Sequence, residues 1–308
     1  MNKKLLAAID GSSFSSNSLD YIIRLFKNDK NISVHLFSVV SVASGDQNWM
    51  FEVDPLREHS PATDRKRITA EKYLRDAKTR LVGGGFAPDD VTFSTEITSS
   101  QIATSIHHEA GRGKYDALVI GRRGIGRVGE MLLGSVSSHL VDKCHEVPIW
   151  IIDGEITSSR FLLAVHCMPK SLIAADHLGF IIHNHPDVEV LLYHSRILFR
   201  REPKVAMEEF YRQWGKEWCD QYLDPDNYLF YAHAQILKDH GVRKQSITQL
   251  PMKTELDASR DLIRQAKKHD CGTIVVGRRP RGSEKGIFGG VSDRTLGQAQ
   301  NLALWIVG

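Results

Sequence analysis

The sequence is poor in the features of secreted, membrane-spanning and nucleic-acid-binding chains, and each shortage narrows what it does. No stretch approaches the roughly 20 apolar residues that a membrane span requires. The apolar run that opens the chain ends at Ile9, too short for a secretory signal. A cytoplasmic protein with no membrane partner is expected. The four cysteines, Cys144, Cys167, Cys219 and Cys271, include no CxxC pair, so neither a disulfide framework nor a zinc site is indicated and buried thiols are expected. A net charge of +3 over 308 residues gives no electrostatic case for nucleic acid. The usual phosphate-loop signature, GxxxxGK followed by Ser or Thr, is absent, and no GxGxxG opens directly from a strand. With 42% hydrophobic residues, the chain has the composition of a folded protein of about two domains.

What is present centres on the stretch from Gly121 to Ser137, which follows the apolar run Ala117-Leu-Val-Ile120. A strand therefore enters a glycine-rich loop, and the helical pattern beyond Ser137, with Leu140 and Val141 turned inward, places a helix start after it. Glycines let backbone N–H groups approach a phosphate closely, and a helix N-terminus adds partial positive charge. Ser135 and Ser137 add hydroxyl donors, and Arg122, Arg123 and Arg127 add charge. These features point to a nucleotide site. The competing explanation is that strand-to-helix turns in parallel α/β domains are often rich in Gly and Ser without binding anything.

In chain order, Lys4 to Ile9 reads as a buried parallel strand that stops at Asp10-Gly-Ser-Ser. Asp10 stands at the strand's carboxyl end, where open α/β sheets collect ligands; alternatively it starts the next helix, capped by Ser12 or Ser13. Leu19, Ile22, Ile23 and Phe26 recur at helical spacing, and Val34 to Val40 is a second strand. Trp49, Met50 and Phe51 sit in a polar loop, as a lid or a contact surface. Thr63 or Asp64 caps a helix through Ile68, Tyr73 and Leu74 to Leu81, stopped by Gly83-Gly84-Gly85. Val91 to Thr98 is a third strand, and Ser99 or Ser100 caps a helix carrying Ile102, Ala103 and Ile106. His107 and His108 on that helix point in different directions and read as a solvated pair rather than metal ligands. Pro148 to Ile152 closes a five-stranded domain, and Asp153 to Ser159 reads as a linker.

The second half repeats the first. Arg160-Phe-Leu-Leu-Ala-Val-His166 parallels Lys4 to Asp10, Val188 to Tyr193 stands for the second strand, and Gly277-Arg-Arg-Pro280 follows a strand as Gly121-Arg-Arg-Gly124 does. Trp305 in the last strand answers Trp150. Two copies of one doubly wound, Rossmann-like α/β domain follow, each with a five-stranded parallel sheet, at 1–153 and 159–308. The second copy carries a helical insert at about 203–240. Its aromatic stripe, Val205, Met207, Phe210, Tyr211, Trp214, Trp218 and Tyr222, is expected to pack on the sheet face, with a partner surface as the alternative.

The spacing Gly121-x-x-Gly124, nine residues, Gly134-Ser135 resembles the nucleotide-binding signature of the universal stress protein family, and the resemblance covers the chain as the tandem form of that family. It implies a stress-response protein whose first domain binds ATP, or ADP or AMP, with magnesium as an optional companion. Asp10 and Val39, with Ile9 beside them, would lie near the adenine. Gly121, Arg123, Gly124, Gly134, Ser135, Val136 and Ser137 would hold ribose and phosphates. The last strands resemble the family's dimer edge, implying an internal pseudo-dimer and, on other surfaces, a homodimer of chains.

The second copy departs from the pattern: His166 replaces Asp10, Pro280 replaces Gly124, and Gly290 replaces Ser135. Proline removes an N–H and fixes φ, so nucleotide binding there is not expected. Asp10 and Glu130 are the first copy's candidates for a role in hydrolysis, but no motif fixes either, and no triad surrounds Ser135. Binding without efficient turnover is expected, with no catalytic residue and no metal site. Two rival readings remain: an interaction module acting through the aromatic insert, and a nucleotidyl-transferring enzyme, for which no second-substrate motif is found.

Overall fold

The computed structural model describes residues 2–27, 29–42, 60–122, 134–183, 185–198, 207–278, 295 and 298–308. Expectations for Trp49 to Phe51, Arg123, Gly124, Arg127, Glu130, Val205, Pro280 and Gly290 fall outside the described residues. The chain forms two units, Met1–Glu155 and Ile156–Gly308.

In the first unit, β1 (Lys3–Ala8), β2 (Ile32–Ser41), β3 (Val91–Thr98), β4 (Ala117–Gly121) and β5 (Ile149–Ile152) pair in parallel in the order β3-β2-β1-β4-β5. Strand order reverses between β1 and β4, the switch point where doubly wound sheets open a crevice at their carboxyl ends. Leu5, Leu6, Ala7, Leu118, Val119 and Ile149 are fully buried, as expected of strands covered on both faces. Among the described residues four helices supply the cover: α1 (Ser13–Phe26), α2 (Pro61–Gly83), α3 (Ile102–Arg112) and α4 (Ser135–Lys143). Trp150 is fully buried, stacked on Phe26 with ring centres 6.3 Å apart and edge-on to Tyr21 at 6.4 Å.

Of three helix starts, one agrees with the sequence reading and two differ. Helix α1 is capped by Ser12, whose Oγ accepts the Ser15 N–H at 3.2 Å. Helix α2 starts earlier than expected: Ser60, not Thr63 or Asp64, accepts the Thr63 N–H, and Pro61 takes the first-turn place that has no N–H to lose. Helix α3 has Gln101 at its cap without a side-chain bond, because Ser100 is taken by Thr98 Oγ1 at 2.8 Å. Asp153 is not linker. It is buried and ion-paired to Arg122 at 3.1 Å.

The second unit repeats the architecture. Strands β6 (Arg160–Ala164), β7 (Glu189–Tyr193), β9 (Ile247–Gln249), β11 (Thr273–Gly277) and β12 (Ala303–Val307) are parallel in the order β12-β11-β6-β7-β9, the same order under the repeat. Trp305 is fully buried against Phe161 and His177. A small parallel pair, β8 (Ser195–Ile197) with β10 (Lys253–Glu255), was not legible in the sequence. The helices are α5 (Pro169–Ile181), α6 (Met207–Trp214), α7 (Lys216–Tyr222), α8 (Phe230–Asp239) and α9 (Ala258–Lys268).

The helical insert is mostly not an insertion. Helix α2 ends at Gly83 before β3 starts at Val91, and α8 ends at Asp239 before β9 starts at Ile247, the same interval, each bridged by a short 3-10 turn. Helix α8 packs on α5 and β7 as α2 packs on α1 and β2. Helices α7 and α8 together are thus the second unit's α2, broken at Asp224-Pro225, where proline cannot donate to the helix ladder. Tyr228 and Leu229 at the break are both left-handed, with φ of 55° and 61°. The aromatic stripe is core in part, through Phe210 and its continuation Phe230, Ile236 and Leu237. Phe210 is buried, but Trp214, Trp218 and Tyr222 are half-buried and form a ladder with ring centres 6.3 and 5.2 Å apart.

Candidate functional site

The chain leaves β1 at Ala8 and turns sharply through Asp10 and Gly11. Asp10 Oδ1 accepts the Ser12 N–H at 3.0 Å and its O–H at 2.6 Å, which fixes the turn and delivers α1 on its cap. Gly11 has φ +80°, and a Cβ there would meet the Tyr73 ring at 2.4 Å, so only glycine lets α2 pass over this turn. From β4 the chain passes Gly121, and beyond it Gly134 begins α4. Gly134 donates its N–H to Arg122 O at 3.0 Å, and Ser137 Oγ donates to Gly121 O at 3.0 Å. The loop's two ends are thereby tied together at the mouth of the switch point.

These elements enclose a cavity of about 620 Å³ at the carboxyl ends of β1, β2 and β4. That is within the range of small-molecule sites, roughly 300–1,000 Å³. Ile9, Asp10, Val39, Gly121, Gly134, Ser135, Val136 and Ser137 all line it. Its walls are largely apolar, from Phe37, Val40, Ile102, Ile106 and Ile120. At one end stand the first N–H groups of α4: the earliest intrahelical bond is Ser138 N–H to Gly134 O, so the amides of Ser135, Val136 and Ser137 have no partner within the helix. An apolar slot ending in a helix N-terminus suits a flat ring carrying an anionic tail.

Two charge assignments change. Arg122 does not serve the cavity; it is fully buried and faces Asp153. Ser137 spends its hydroxyl on the backbone of Gly121, so of these two serines it is the exposed Ser135 whose hydroxyl is offered to a ligand in the cavity. Charge comes instead from α2, whose Arg65 and Lys66 are exposed at the rim, with Lys66 Nζ donating to Ser41 O at 3.2 Å. Thr69, Ala70 and Tyr73 continue that face. The sequence reading ran this helix through Ile68, Tyr73 and Leu74 to Leu81 without assigning its faces, and so missed these residues. Ile68 is 59% exposed and Tyr73 38%, while Ala70, Leu74, Ala77 and Leu81 are buried. The i, i+4 spacing of Lys66, Ala70 and Leu74 held the signal, masked by its mixed polarity.

Asp10 is the one carboxylate among the described lining residues, which include no histidine, cysteine or glutamate. A single carboxylate matches a magnesium ion held chiefly by phosphates and water.

The same place in the second unit is filled by its own chain. His166, in the position of Asp10, lies beside His194 at the end of β7, with ring centres 5.7 Å apart, and Tyr228 from the break in α7–α8 stacks on His194 at 4.0 Å. Cys167 Sγ is 3.9 Å from Pro225 O, Leu229 is fully buried, and Ser171 Oγ bonds His233 Nε2 at 2.6 Å. Where the unbroken α2 walls a cavity, the break in the second unit turns Tyr228 onto His194 and buries Leu229, while Pro225 to Asn227 stay exposed. His166 and Cys167 thus sit in a packed aromatic and thiol cluster. His183 Nδ1 is engaged with His240 O at 2.6 Å.

The universal stress protein family model matches residues 1–152. The universal stress protein YxiE of Bacillus subtilis (strain 168) is 29% identical over 154 residues, 49% of this chain and 99% of that protein. A crystal structure of a universal stress protein from Archaeoglobus fulgidus DSM 4304 aligns with a TM-score of 0.64 at 15% identity, covering 99% of this chain and 97% of the other. A putative universal stress protein from Pseudomonas aeruginosa UCBPP-PA14 aligns at 0.54 and 14% identity, over 99% and 93% of the two chains. At such identities the structural likeness speaks for the fold. In the described residues no helix is long and apolar enough to cross a membrane.

Proposed function

Since residues 1–152 make this chain a member of the universal stress protein family, we propose that its first unit binds an adenine nucleotide, ATP foremost, and works as a regulatory binding protein rather than an efficient catalyst. The observation that carries this reading is the convergence of Ile9, Asp10, Val39, Gly121 and Gly134 to Ser137, far apart in the chain, on one cavity of about 620 Å³. The base lies between the apolar walls near Ile9 and Val39, and Asp10 accepts a hydrogen bond from base or ribose. The phosphates meet the free amides of α4, Ser135 Oγ and the charges of Arg65 and Lys66. With Asp10 as the only lining carboxylate among the described residues, any hydrolysis is slow. The test is a thermal melt with magnesium and ATP: at 100 times Kd the site gains about 2.7 kcal/mol, read as a raised transition. Val39→Trp, which fills the slot at a half-buried strand position, removes the shift while leaving the ligand-free melt close to wild type. No shift at millimolar ATP overturns the reading.

One observation favours a second role. The half-buried ladder of Trp214, Trp218 and Tyr222 leaves apolar surface on the second unit that its own fold does not cover. This suits an interaction module, and it stands or falls independently of nucleotide binding.

A further inference from the structure

At the far end of α4 from the cavity, three side chains of different chemistry converge. His107 on α3, Cys144 at the C-cap of α4 and Glu146 just beyond it place one ligand atom each within 4.8 Å of one another. We propose that they form a binding site for a thiophilic divalent cation, with zinc as the ion a cell supplies.

The donor set argues for this class. Thiolate and imidazole together select zinc and its soft neighbours over magnesium and calcium, which take oxygen ligands. Imidazole nitrogen, thiolate sulfur and carboxylate oxygen are zinc's usual ligands, and three protein ligands leave the fourth tetrahedral position to water. The geometry is nearly assembled. His107 Nε2 and Glu146 Oε2 are 3.0 Å apart, and bonds of about 2.1 Å in a tetrahedron set such a pair about 3.3 Å apart. The sulfur must close by roughly 1 Å to reach zinc–sulfur length from the present spread. The outer side chains have room to do this: the His107 and Glu146 side chains are 30% and 57% exposed, while Cys144 is fully buried.

The surroundings support a cation. Cys144 N–H bonds Leu140 O at 2.8 Å, fixing the thiol at the carbonyl end of α4, where the helix dipole favours positive charge. The His145 N–H donates to Glu146 Oε2 at 2.9 Å, which orients the carboxylate toward His107. His145 itself is turned away, with Nε2 on Asp142 O at 2.9 Å, and is not a ligand. On binding, the Cys144 proton leaves to solvent and the His107–Glu146 hydrogen bond is replaced by two bonds to the metal. Charge is then balanced: a dication faces one thiolate, one carboxylate and one neutral imidazole. The sequence hid this site because its ligands come from the middle of one helix and the end of another, and only the Cys144, Glu146 pair is close in the chain.

The experiment uses the full chain, chelator-treated and kept reduced, titrated with Co²⁺ alone and then with Zn²⁺. The expected result is a sulfur-to-cobalt charge-transfer band that saturates at one ion per chain, with the intense visible bands of tetrahedral cobalt, both displaced by Zn²⁺. His107→Ala and Glu146→Gln alter exposed side chains and keep the fold, checked by circular dichroism; each weakens cobalt binding by at least about tenfold, the cost of even an outer-shell partner. Cys144→Ser abolishes the charge-transfer band. Absence of that band in the wild type, its survival in Cys144→Ser, or unchanged affinity in both His107→Ala and Glu146→Gln overturns the proposal.

Discussion

Gly121 separates two reasons for a glycine, and the structure chooses between them. The loop signature suggests that Gly121 exists so that backbone can approach a phosphate. Its φ is not positive, however, and a Cβ built on it would lie 2.9 Å from both the carbonyl carbon and Cβ of Phe14 and 3.0 Å from Phe14 O. Those are atoms of the first turn of α1, and no side-chain rotation relieves the clash. Relief requires α1 to move off β4 by about 0.5 Å to restore ordinary contact near 3.5 Å. Overpacking of this kind costs roughly 1–3 kcal/mol, offset by about 0.4–1 kcal/mol from the lost freedom of glycine in the unfolded chain. Gly121→Ala is therefore expected to destabilise the ligand-free first unit by about 1–2 kcal/mol. For a unit of this size that is a fall of about 2–8 °C in calorimetry. The repeat supplies a control. A Cβ on Gly277 would lie 2.3 Å from Lys170 O and 2.6 Å from its carbon, a tighter clash, so Gly277→Ala lowers the second transition by more. If Gly121→Ala melted within about 1 °C of wild type yet lost ATP, the glycine would serve the ligand and the packing argument would be refuted.

Asp153→Ala removes the carboxylate paired with the buried Arg122, and loss of one partner of a buried pair costs up to about 3–5 kcal/mol; urea unfolding of the first unit measures it, and a loss under 1 kcal/mol contradicts the weight given to this pair. Burial of His233 lowers its pKa to about 4, with the Leu229 carbonyl and Ser171 opposing the shift and His194 adding to it. The unfolded chain binds that proton first, so stability is complete above about pH 6.5 and falls by about 3 kcal/mol as pH drops to about 4. His177, lowered to about 3 by burial, adds to the same fall. His233→Gln flattens the loss between pH 6.5 and 4 in urea midpoints, and an equal fall in the variant contradicts the assignment.

The repeat was legible because parallel strands covered on both faces read as unbroken apolar runs, and Trp150 and Trp305 mark equal positions in two such runs. That Asp10, Val39 and Gly121 would meet at one cavity was legible for the same reason: they sit at strand ends, and a doubly wound sheet brings strand ends together. What escaped were properties of helices. The mixed-polarity face of α2 carrying Arg65, Lys66 and Tyr73 looks solvated until the fold sets it over a cavity. Arg122 looked like a phosphate ligand because its buried partner, Asp153, lies in a stretch that reads as linker. The break at Asp224-Pro225 was visible, but not that Tyr228 and Leu229 would turn left-handed and fill the second crevice.

The described residues place Tyr228 against His194 at the second unit's counterpart of the cavity, so one nucleotide per chain, in the first unit, is the expected stoichiometry. Isothermal titration of the full chain with ATP and magnesium measures the stoichiometry directly. The account predicts one site per chain, lost in Val39→Trp. Two sites per chain, or none at millimolar ATP, would contradict it.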